Sequence, residues 1–303
     1  MFHYQYVVSM NKITTHLWFD TQAKEAAEFY TSLFAESKID KVNTITGTPS
    51  GDCDIVSFTL TGQPFMAISA GPIFKFNPSI SISVQCETEE EIKKLHTALK
   101  DGGMELMPLD TYDFSKKFAW VQDKYGLSWQ LNVPNDYSLV KQKISPFLMF
   151  VGEVCGKAEE AMTFYTSLFD NSSIDHIYRN EKETDKKLID HAEFTLGGQV
   201  FMASDSSYDH KFAFNEATSF IVNCKDQEEI DYFWGKLSAV PEAEQCGWLK
   251  DKYGVSWQIV PTAMDEMMAQ GSKEQVDRVT KEFLTMKKFN ISKLEEAYNG
   301  GNK

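Results

Sequence analysis

The chain has 303 residues, 42% of them hydrophobic, which is enough for two domains with substantial cores. Its formal net charge is −14 and no basic cluster stands out, so it lacks the charge pattern of proteins that bind nucleic acid or anionic lipid. No apolar run approaches the roughly 20 residues needed to cross a bilayer, and the N-terminus does not resemble a signal peptide. These features predict a cytoplasmic protein with neither a membrane nor a nucleic-acid partner.

The first part of the chain predicts a strand, a helix and three more strands. Residues 1–11 are interpreted as an extension that precedes the first strand, which begins at Lys12. A helix is expected over residues 22–34, where apolar side chains recur with i, i+3, i+4 spacing. Short runs with strand periodicity follow at 42–45, 55–60 and 65–68.

The same order of elements then begins again. Residues 79–86 alternate as a strand, and Thr88 opens an amphipathic helix over 89–99 that ends at the Asp-Gly-Gly sequence 101–103. Two further strands flank a turn at 123–126. Each such series is a βαβββ unit, so this stretch of the chain contains two of them.

The chain is an internal duplication. The sequence Asp-Lys-Tyr-Gly-Leu-Ser-Trp-Gln at 123–130 returns at 251–258 with seven of eight positions unchanged, and Phe-Tyr-Thr-Ser-Leu-Phe at 29–34 returns at 164–169. Four βαβββ units in two copies are therefore predicted. The expected divisions are the extension 1–11, a first domain 12–134, a second domain 143–261, and a C-terminal extension 262–303 with helices at 275–284 and 292–298.

Paired βαβββ units with a histidine on the first strand, a Phe-Tyr helix and a late Gly-x-x-x-Gln strand resemble the vicinal-oxygen-chelate superfamily, which includes glyoxalase I, extradiol dioxygenases and bleomycin resistance proteins. Within it the chain is most similar to the PhnB-like family, often labelled 3-demethylubiquinone-9 3-methyltransferase. Residues 212–217, 246–251 and 286–291 carry the closest likeness. The resemblance implies an α+β fold in which paired units form open, barrel-like mixed sheets with helices outside, and an intramolecular pseudo-dimer.

The resemblance also implies a pocket on the inward face of the sheets. On the first strand, His16 and Trp18 alternate with Leu17 and Phe19, and the apolar set is expected to lie under the helices. Tryptophans with small polar side chains suit a small organic ligand. Asp205, Asn215 and Glu216 either line this pocket or close a loop through bonds to the backbone. The candidate pocket residues are Trp18, Ser81, Trp120, Asp205, Asn215, Glu216, Ser219, Trp248 and Gln258.

Metal-using members of the superfamily hold one divalent ion with side chains from the first and last strands of two units. Carried over to this sequence, those positions supply His16 and Gln130 in the first copy and Gln258 in the second, and a swapped arrangement pairs His16 with Gln258. Two neutral donors are too few for tight zinc or iron binding. His191 and Glu193 share one strand face and are either reserve donors or a solvated sheet edge.

Three functions remain open at this point. The preferred one is binding of a small organic molecule, because a binding protein needs a pocket but no reactive centre. The alternative is a metal-dependent lyase, isomerase or dioxygenase. The third is the methyltransferase of the family label, for which the sequence shows no glycine-rich βαβ turn to bind adenosylmethionine. Whether the chain is catalytic, whether it binds a metal and whether it oligomerises further are left undecided.

Overall fold

A computed structural model of the chain describes residues 11–48, 50–179 and 188–301. The predicted extension 1–11 lies, apart from Asn11, outside these residues. Within them, no helix is both long and apolar enough to span a membrane. The cytoplasmic location stays a prediction.

The first copy folds into the two predicted βαβββ units. Their elements are Ile13–Phe19 (β1), Ala23–Leu33 (α1), Lys38–Thr48 (β2), Gly51–Leu60 (β3), Gln63–Ser69 (β4), Ile80–Gln85 (β5), Glu89–Lys100 (α2), Met104–Tyr112 (β6), Ser115–Gln122 (β7) and Ser128–Val133 (β8). Thr88 caps α2 as predicted, since its side chain accepts a hydrogen bond from the Glu91 N–H.

The second copy repeats this order with one strand fewer. Its elements are Ile144–Val151 (β9), Ala158–Thr166 (α3), Ser173–Tyr178 (β10), His191–Leu196 (β11), Gln199–Ser206 (β12), Thr218–Cys224 (β13), Gln227–Leu237 (α4), Trp248–Lys250 (β14) and Ser256–Pro261 (β15). Three helices follow: Thr262–Gln270 (α5), which was not predicted, Lys273–Phe283 (α6) and Ile291–Asn299 (α7).

The prediction of four complete βαβββ units is wrong for the fourth, which has three strands. Lys250 lies only 13 positions after Leu237 (250 − 237), whereas Gln122 lies 22 positions after the corresponding Lys100 (122 − 100). The shorter connection has no room for a strand equivalent to β6. The C-terminal extension covers the edge that this leaves, because the carbonyl oxygen of Met286 accepts a hydrogen bond from the Cys246 N–H at 2.8 Å.

The strands form two mixed sheets that each join a unit of one copy to a unit of the other. Sheet A has the order β14-β15-β13-β1-β4-β3-β2, and sheet B has the order β10-β11-β12-β9-β5-β8-β7-β6. Antiparallel pairing of β1 with β13 connects the copies in sheet A, and antiparallel pairing of β5 with β9 connects them in sheet B. The intramolecular pseudo-dimer is thus held together by backbone ladders.

The hydrophobic cores, unlike the sheets, largely follow the copies. One cluster of buried side chains contains residues of α1 and α2 with strands of the first copy. The other contains residues of α3 and α4, strands of the second copy and the C-terminal helices. Each copy therefore packs its helices into its own core while its strands pair across to the other copy.

The repeated eight-residue sequence forms a buried carboxylate network in each copy. Asp123, which is 3% exposed, accepts hydrogen bonds from the Tyr30 hydroxyl at 2.7 Å and the Trp129 indole at 2.8 Å. Its other oxygen accepts from the backbone N–H groups of Tyr125 and Leu127. Burial raises the pKa of Asp123, and the four donors oppose that effect. The turn predicted from this sequence is thus also an anchor between α1 and β8.

The second copy contains the same network. Asp251 accepts from the Tyr165 hydroxyl at 2.6 Å and the Trp257 indole at 2.9 Å. The glycine two positions before each repeated serine has a positive φ, +91° at Gly126 and +88° at Gly254, as the turn requires. These shared contacts explain why the helix and loop sequences repeat together.

Candidate functional site

The face of sheet A opposite the helices carries the predicted polar residues of β1. Leu17 and Phe19 lie in the first-copy core, so the alternating His16 and Trp18 point to the other side, termed the inner face. Ser219 is the cross-strand neighbour of His16 on β13. The strand pairing thus brings a first-copy histidine to a second-copy serine.

Three polar side chains form a chain of contacts on this face. The Gln258 amide donates a hydrogen bond to the Ser219 hydroxyl at 3.0 Å, and that hydroxyl lies 3.4 Å from His16 Nδ1. His16 is 3% exposed, Ser219 0% and Gln258 8%. Because burial removes the solvation of an imidazolium, the pKa of His16 falls to about 3. The imidazole is therefore neutral at physiological pH.

Aromatic rings cover this polar group. The Trp248 ring stands edge-on to His16 with centroids 5.3 Å apart, and it meets Trp18 at 6.0 Å. The Trp18 indole N–H is held by the Gly71 carbonyl at 2.8 Å, and Phe74 packs on the same indole at 5.1 Å. Trp18 and Trp248 thus lie together on the inner face of sheet A, with Trp248 against His16.

The rim residues have different roles. Glu216 forms an ion pair with Lys250 at 2.8 Å, and both side chains are about four-fifths buried. The Asn215 side chain instead closes its own turn by accepting from the Ala217 N–H, and it donates to the Lys75 carbonyl of the first copy. Of the two readings left open for Asn215, the structure shows the bonds to the backbone.

Asp205 lies in sheet B, away from the inner face of sheet A. Its carboxylate accepts hydrogen bonds from the backbone N–H groups of Gly156, Ala158 and Ile189. It thereby fixes the loop before α3 to the end of β12. For Asp205, too, the contacts are those of loop closure.

The inner face of sheet B holds the other predicted residues. Ser81 is the cross-strand neighbour of Phe147, which stands where sheet A has His16. The Trp120 indole donates to the Ser128 hydroxyl at 2.7 Å, and Ser128 lies 2.9 Å from the Ser81 hydroxyl. Gln130 is on this face as well. The structure therefore separates Gln130 from His16 and brings Gln258 to His16, as in the swapped arrangement.

His191 lies on the inner face of sheet B and not on a solvated edge. Its ring packs against Phe147 with centroids 5.9 Å apart, and burial lowers the pKa of His191 to about 4. Glu193, two residues along the same strand, pairs with Lys141 at 3.4 Å. The alternation of β11 showed that the two residues share a face, but only the cross-strand pairing with β12 showed which face it is.

The donors on the inner face of sheet A do not fit a tightly bound divalent metal. The four positions contributed by its two units are His16, Met66, Ser219 and Gln258, which include one imidazole and no carboxylate. Zinc and non-haem iron sites use several imidazole, thiolate or carboxylate ligands. In residues 11–48, 50–179 and 188–301, no group of three or more His, Cys, Asp or Glu side chains is placed to hold an ion.

Comparison with known proteins identifies the family of this chain. The family model described as 3-demethylubiquinone-9 3-methyltransferase matches residues 11–132 and again 142–260, so each copy matches it separately. The chain belongs to this family. No curated protein matches the chain.

Two solved structures are similar in sequence to about 40% of this chain. A PhnB protein from Bacillus cereus, described as a 3-demethylubiquinone-9 3-methyltransferase, is 46% identical over 40% of this chain and 98% of its own length, with a TM-score of 0.38. A Staphylococcus aureus protein is 39% identical over 41% of this chain and 97% of its own, with a TM-score of 0.19.

One enzyme structure matches most of this chain, across both copies. Glyoxalase I from Zea mays covers 85% of this chain and 97% of its own length with a TM-score of 0.54 at 10% identity. At this identity the likeness shows a shared fold only. The α+β fold of barrel-like mixed sheets with helices outside is thereby confirmed.

Proposed function

We propose that the chain binds a small organic molecule on the inner face of sheet A and needs no metal ion to do so. The main support for this proposal is that two polar side-chain atoms beside an aromatic ring make no hydrogen bond to any residue that the structure describes. His16 Nε2 and Gln258 Oε1 have no hydrogen-bond partner among the described residues, and Trp248 packs against the same imidazole. A binding site of mostly apolar surface with a few directed polar groups is typical for small organic ligands.

The side chains that carry the free polar atoms keep a small exposed fraction, 3% for His16 and 8% for Gln258. In the described part of the chain, Thr61 Oγ1 and Gln199 Oε1 are the fully buried side-chain polar atoms that lack a partner. The free atoms of His16 and Gln258 are not fully buried, so each keeps some accessible surface. Displacement of solvent there by a ligand that completes both hydrogen bonds favours binding.

A metal-dependent lyase, isomerase or dioxygenase is the second candidate. It is favoured by the cross-copy pairing that brings His16 close to Gln258, and by the neutral state of His16, which is the form that binds metals. The missing carboxylate ligands stand against it. The methyltransferase of the family description requires an adenosylmethionine site, and both sheets here are mixed instead of doubly wound and parallel.

A thermal-shift screen of the full chain separates these functions. Candidate ligands are small aromatic and heterocyclic molecules, adenosylmethionine, and the chlorides of zinc, manganese and nickel. We expect an organic molecule to raise Tm, because a ligand that binds only the folded state stabilises it. The shift should disappear in Trp248→Ala and persist in the matched sheet B variant Trp120→Ala.

Other outcomes point elsewhere. Stabilisation by a divalent metal that His16→Phe abolishes would replace the proposal with the metal enzyme. Stabilisation by adenosylmethionine would support the methyltransferase. An organic ligand whose effect is lost equally in Trp120→Ala and Trp248→Ala would show that the inner face of sheet A is not the site.

A further inference from the structure

Donor and acceptor roles can be assigned to the contacts among Gln258, Ser219 and His16. Gln258 donates its amide hydrogen to the Ser219 hydroxyl oxygen. A serine hydroxyl carries one hydrogen, and His16 Nδ1 at 3.4 Å is the other polar neighbour of Ser219 Oγ in the part of the chain that the structure describes. The arrangement that uses this hydrogen has the hydroxyl donating to His16 Nδ1, and it requires Nδ1 to be the unprotonated ring nitrogen.

A neutral imidazole has one protonated nitrogen and one acceptor nitrogen. With Nδ1 accepting from Ser219, the proton of His16 lies on Nε2, and that N–H has no partner among the described residues. The Gln258 carbonyl oxygen is free in the same sense, because its amide nitrogen makes the contact with Ser219. The site therefore offers one donor and one acceptor, on the two side chains that contact Ser219.

We infer that Ser219 and Gln258 hold His16 in the Nε2–H tautomer, so that the site takes an uncharged ring molecule with a hydrogen-bond acceptor and a donor side by side, as in a cyclic lactam. The acceptor of the ligand receives the His16 Nε2–H, and its donor faces Gln258 Oε1. In these roles Ser219 is a positioning residue that acts through His16. The inference rests on the proposed function and names the ligand class for it.

The structure also explains why a charged ligand is disfavoured. His16, Ser219 and Gln258 are neutral, and the ion pair of Glu216 and Lys250 at the rim is internally balanced at 2.8 Å. A net charge brought into this buried group would lose hydration without meeting an opposite charge. A neutral lactam edge loses little hydration because both of its polar groups find partners.

The tautomer is measured first, without any ligand, by ¹⁵N NMR of the full chain labelled at histidine. The His16 signal is identified by its loss in His16→Phe, a substitution that copies Phe147 of sheet B. We expect a protonated Nε2 and an unprotonated Nδ1. Ser219→Ala should abolish the preference and Ser219→Thr, which keeps the hydroxyl, should retain it. The matched variant Ser81→Ala in sheet B should leave the His16 signals unchanged. A protonated Nδ1 in the parent chain would overturn the inference.

The ligand class is tested by titrating 2-pyridone and N-methyl-2-pyridone while the His16 signals are followed. The methyl group removes the ligand donor and leaves Gln258 Oε1 unpaired, so affinity should fall by about 5- to 100-fold. Equal affinity for the two compounds, or no response to 2-pyridone, would overturn the ligand class. If other organic molecules still raise Tm in that case, the proposed function stands without this inference. If none does while His16 carries its proton on Nε2, the proposed function fails instead.

Discussion

In sheet A, His16 lies beside Ser219 and Met66, whereas in sheet B the equivalent Phe147 lies beside Ser81 and Met202. The strands that carry these residues pair in the same way in both sheets, so at this position the two faces differ in the side chain. A phenyl ring offers no hydrogen bond, and the serine of sheet B is bonded to another serine instead. One duplicated fold thus has an imidazole at this position of one inner face and a phenyl ring at the same position of the other.

The buried aspartate networks, unlike the inner faces, are the same in both copies. Asp123 and Asp251 have the same four kinds of donor in both copies. A buried carboxylate without its donors strongly destabilises a fold, so each copy needs its own network. The proposed ligand site, in contrast, is present in one sheet only. Residues kept in both copies are therefore the ones needed for folding, and the residues of sheet A alone are the ones we propose for binding.

The largest expected effect comes from separating the copies. Residues 11–134 expressed alone lose β13 and β9, the partners of β1 and β5. Because these edges carry rows of unpaired backbone groups, we expect no stable monomer and a dimer in which β1 of one molecule pairs with β5 of another. Size-exclusion chromatography with light scattering measures this. A folded monomer would show that the cross-copy ladders are dispensable.

Phe147→His tests whether sheet B can acquire the chemistry of sheet A. The change places a polar ring where a buried apolar one packs, so unfolding free energy should fall by about 3 kcal/mol. If the register alone creates a site once the histidine is present, the number of ligand molecules bound per chain should rise from one to two by titration calorimetry. An unchanged number would mean that Trp248 and the Glu216–Lys250 pair are required as well. Phe150→His, on the opposite face of β9, controls for polarity alone.

The pH dependence of stability should reveal the buried His16. Its folded-state pKa of about 3 lies below the usual unfolded value of about 6.5, so the unfolded chain binds a proton more strongly between those values. Stability is therefore lost as pH falls from about 6.5, by up to about 1.4 kcal/mol per pH unit for this group. Urea unfolding at pH 7, 6 and 5 should show a shallower dependence in His16→Phe. His191, with a pKa lowered to about 4, retains part of the slope.

The smallest expected effect is the loss of one tyrosine hydrogen bond from the buried aspartate network of each copy. Tyr30→Phe and Tyr165→Phe each remove one hydrogen bond to a buried carboxylate and should each lower the unfolding free energy by about 1 to 2 kcal/mol. Ligand binding should be unchanged in both. The free energies are obtained from denaturant midpoints at constant slope. Markedly unequal losses would argue against equivalent anchoring in the two copies.

Much of this architecture was predictable because its signals are local. The alternation of β1, the helix stripe of α1 and the repeated turn at 123–126 depend on neighbours within a few residues, and the structure confirms them. The same alternation placed Trp18 on the face opposite Leu17 and Phe19. The missing strand of the fourth unit was also visible in principle, as a connection too short to hold it.

The contacts of Asp205 and Asn215 were not predictable in the same way. Both side chains were open to two readings, and only the three-dimensional positions of Gly156 and Lys75 show that backbone groups satisfy them. The two interpretations of His191 stayed open for a related reason. Its strand face could be identified from the sequence, but not the direction in which that face points.

By itself the sequence determined the duplication, three of the four βαβββ units and the face of each strand on which a side chain lies, because these depend on repetition and periodicity along the chain. The family followed from the resemblance of its motifs. Only the tertiary structure decided which units share a sheet. Pairing of β1 with β13 is a contact between residues about 200 positions apart, and no local pattern specifies it. That pairing places His16 in the same sheet as Ser219 and Gln258, whereas Gln130 and Phe147 lie in the other sheet. The position of the candidate site is therefore a property of the fold.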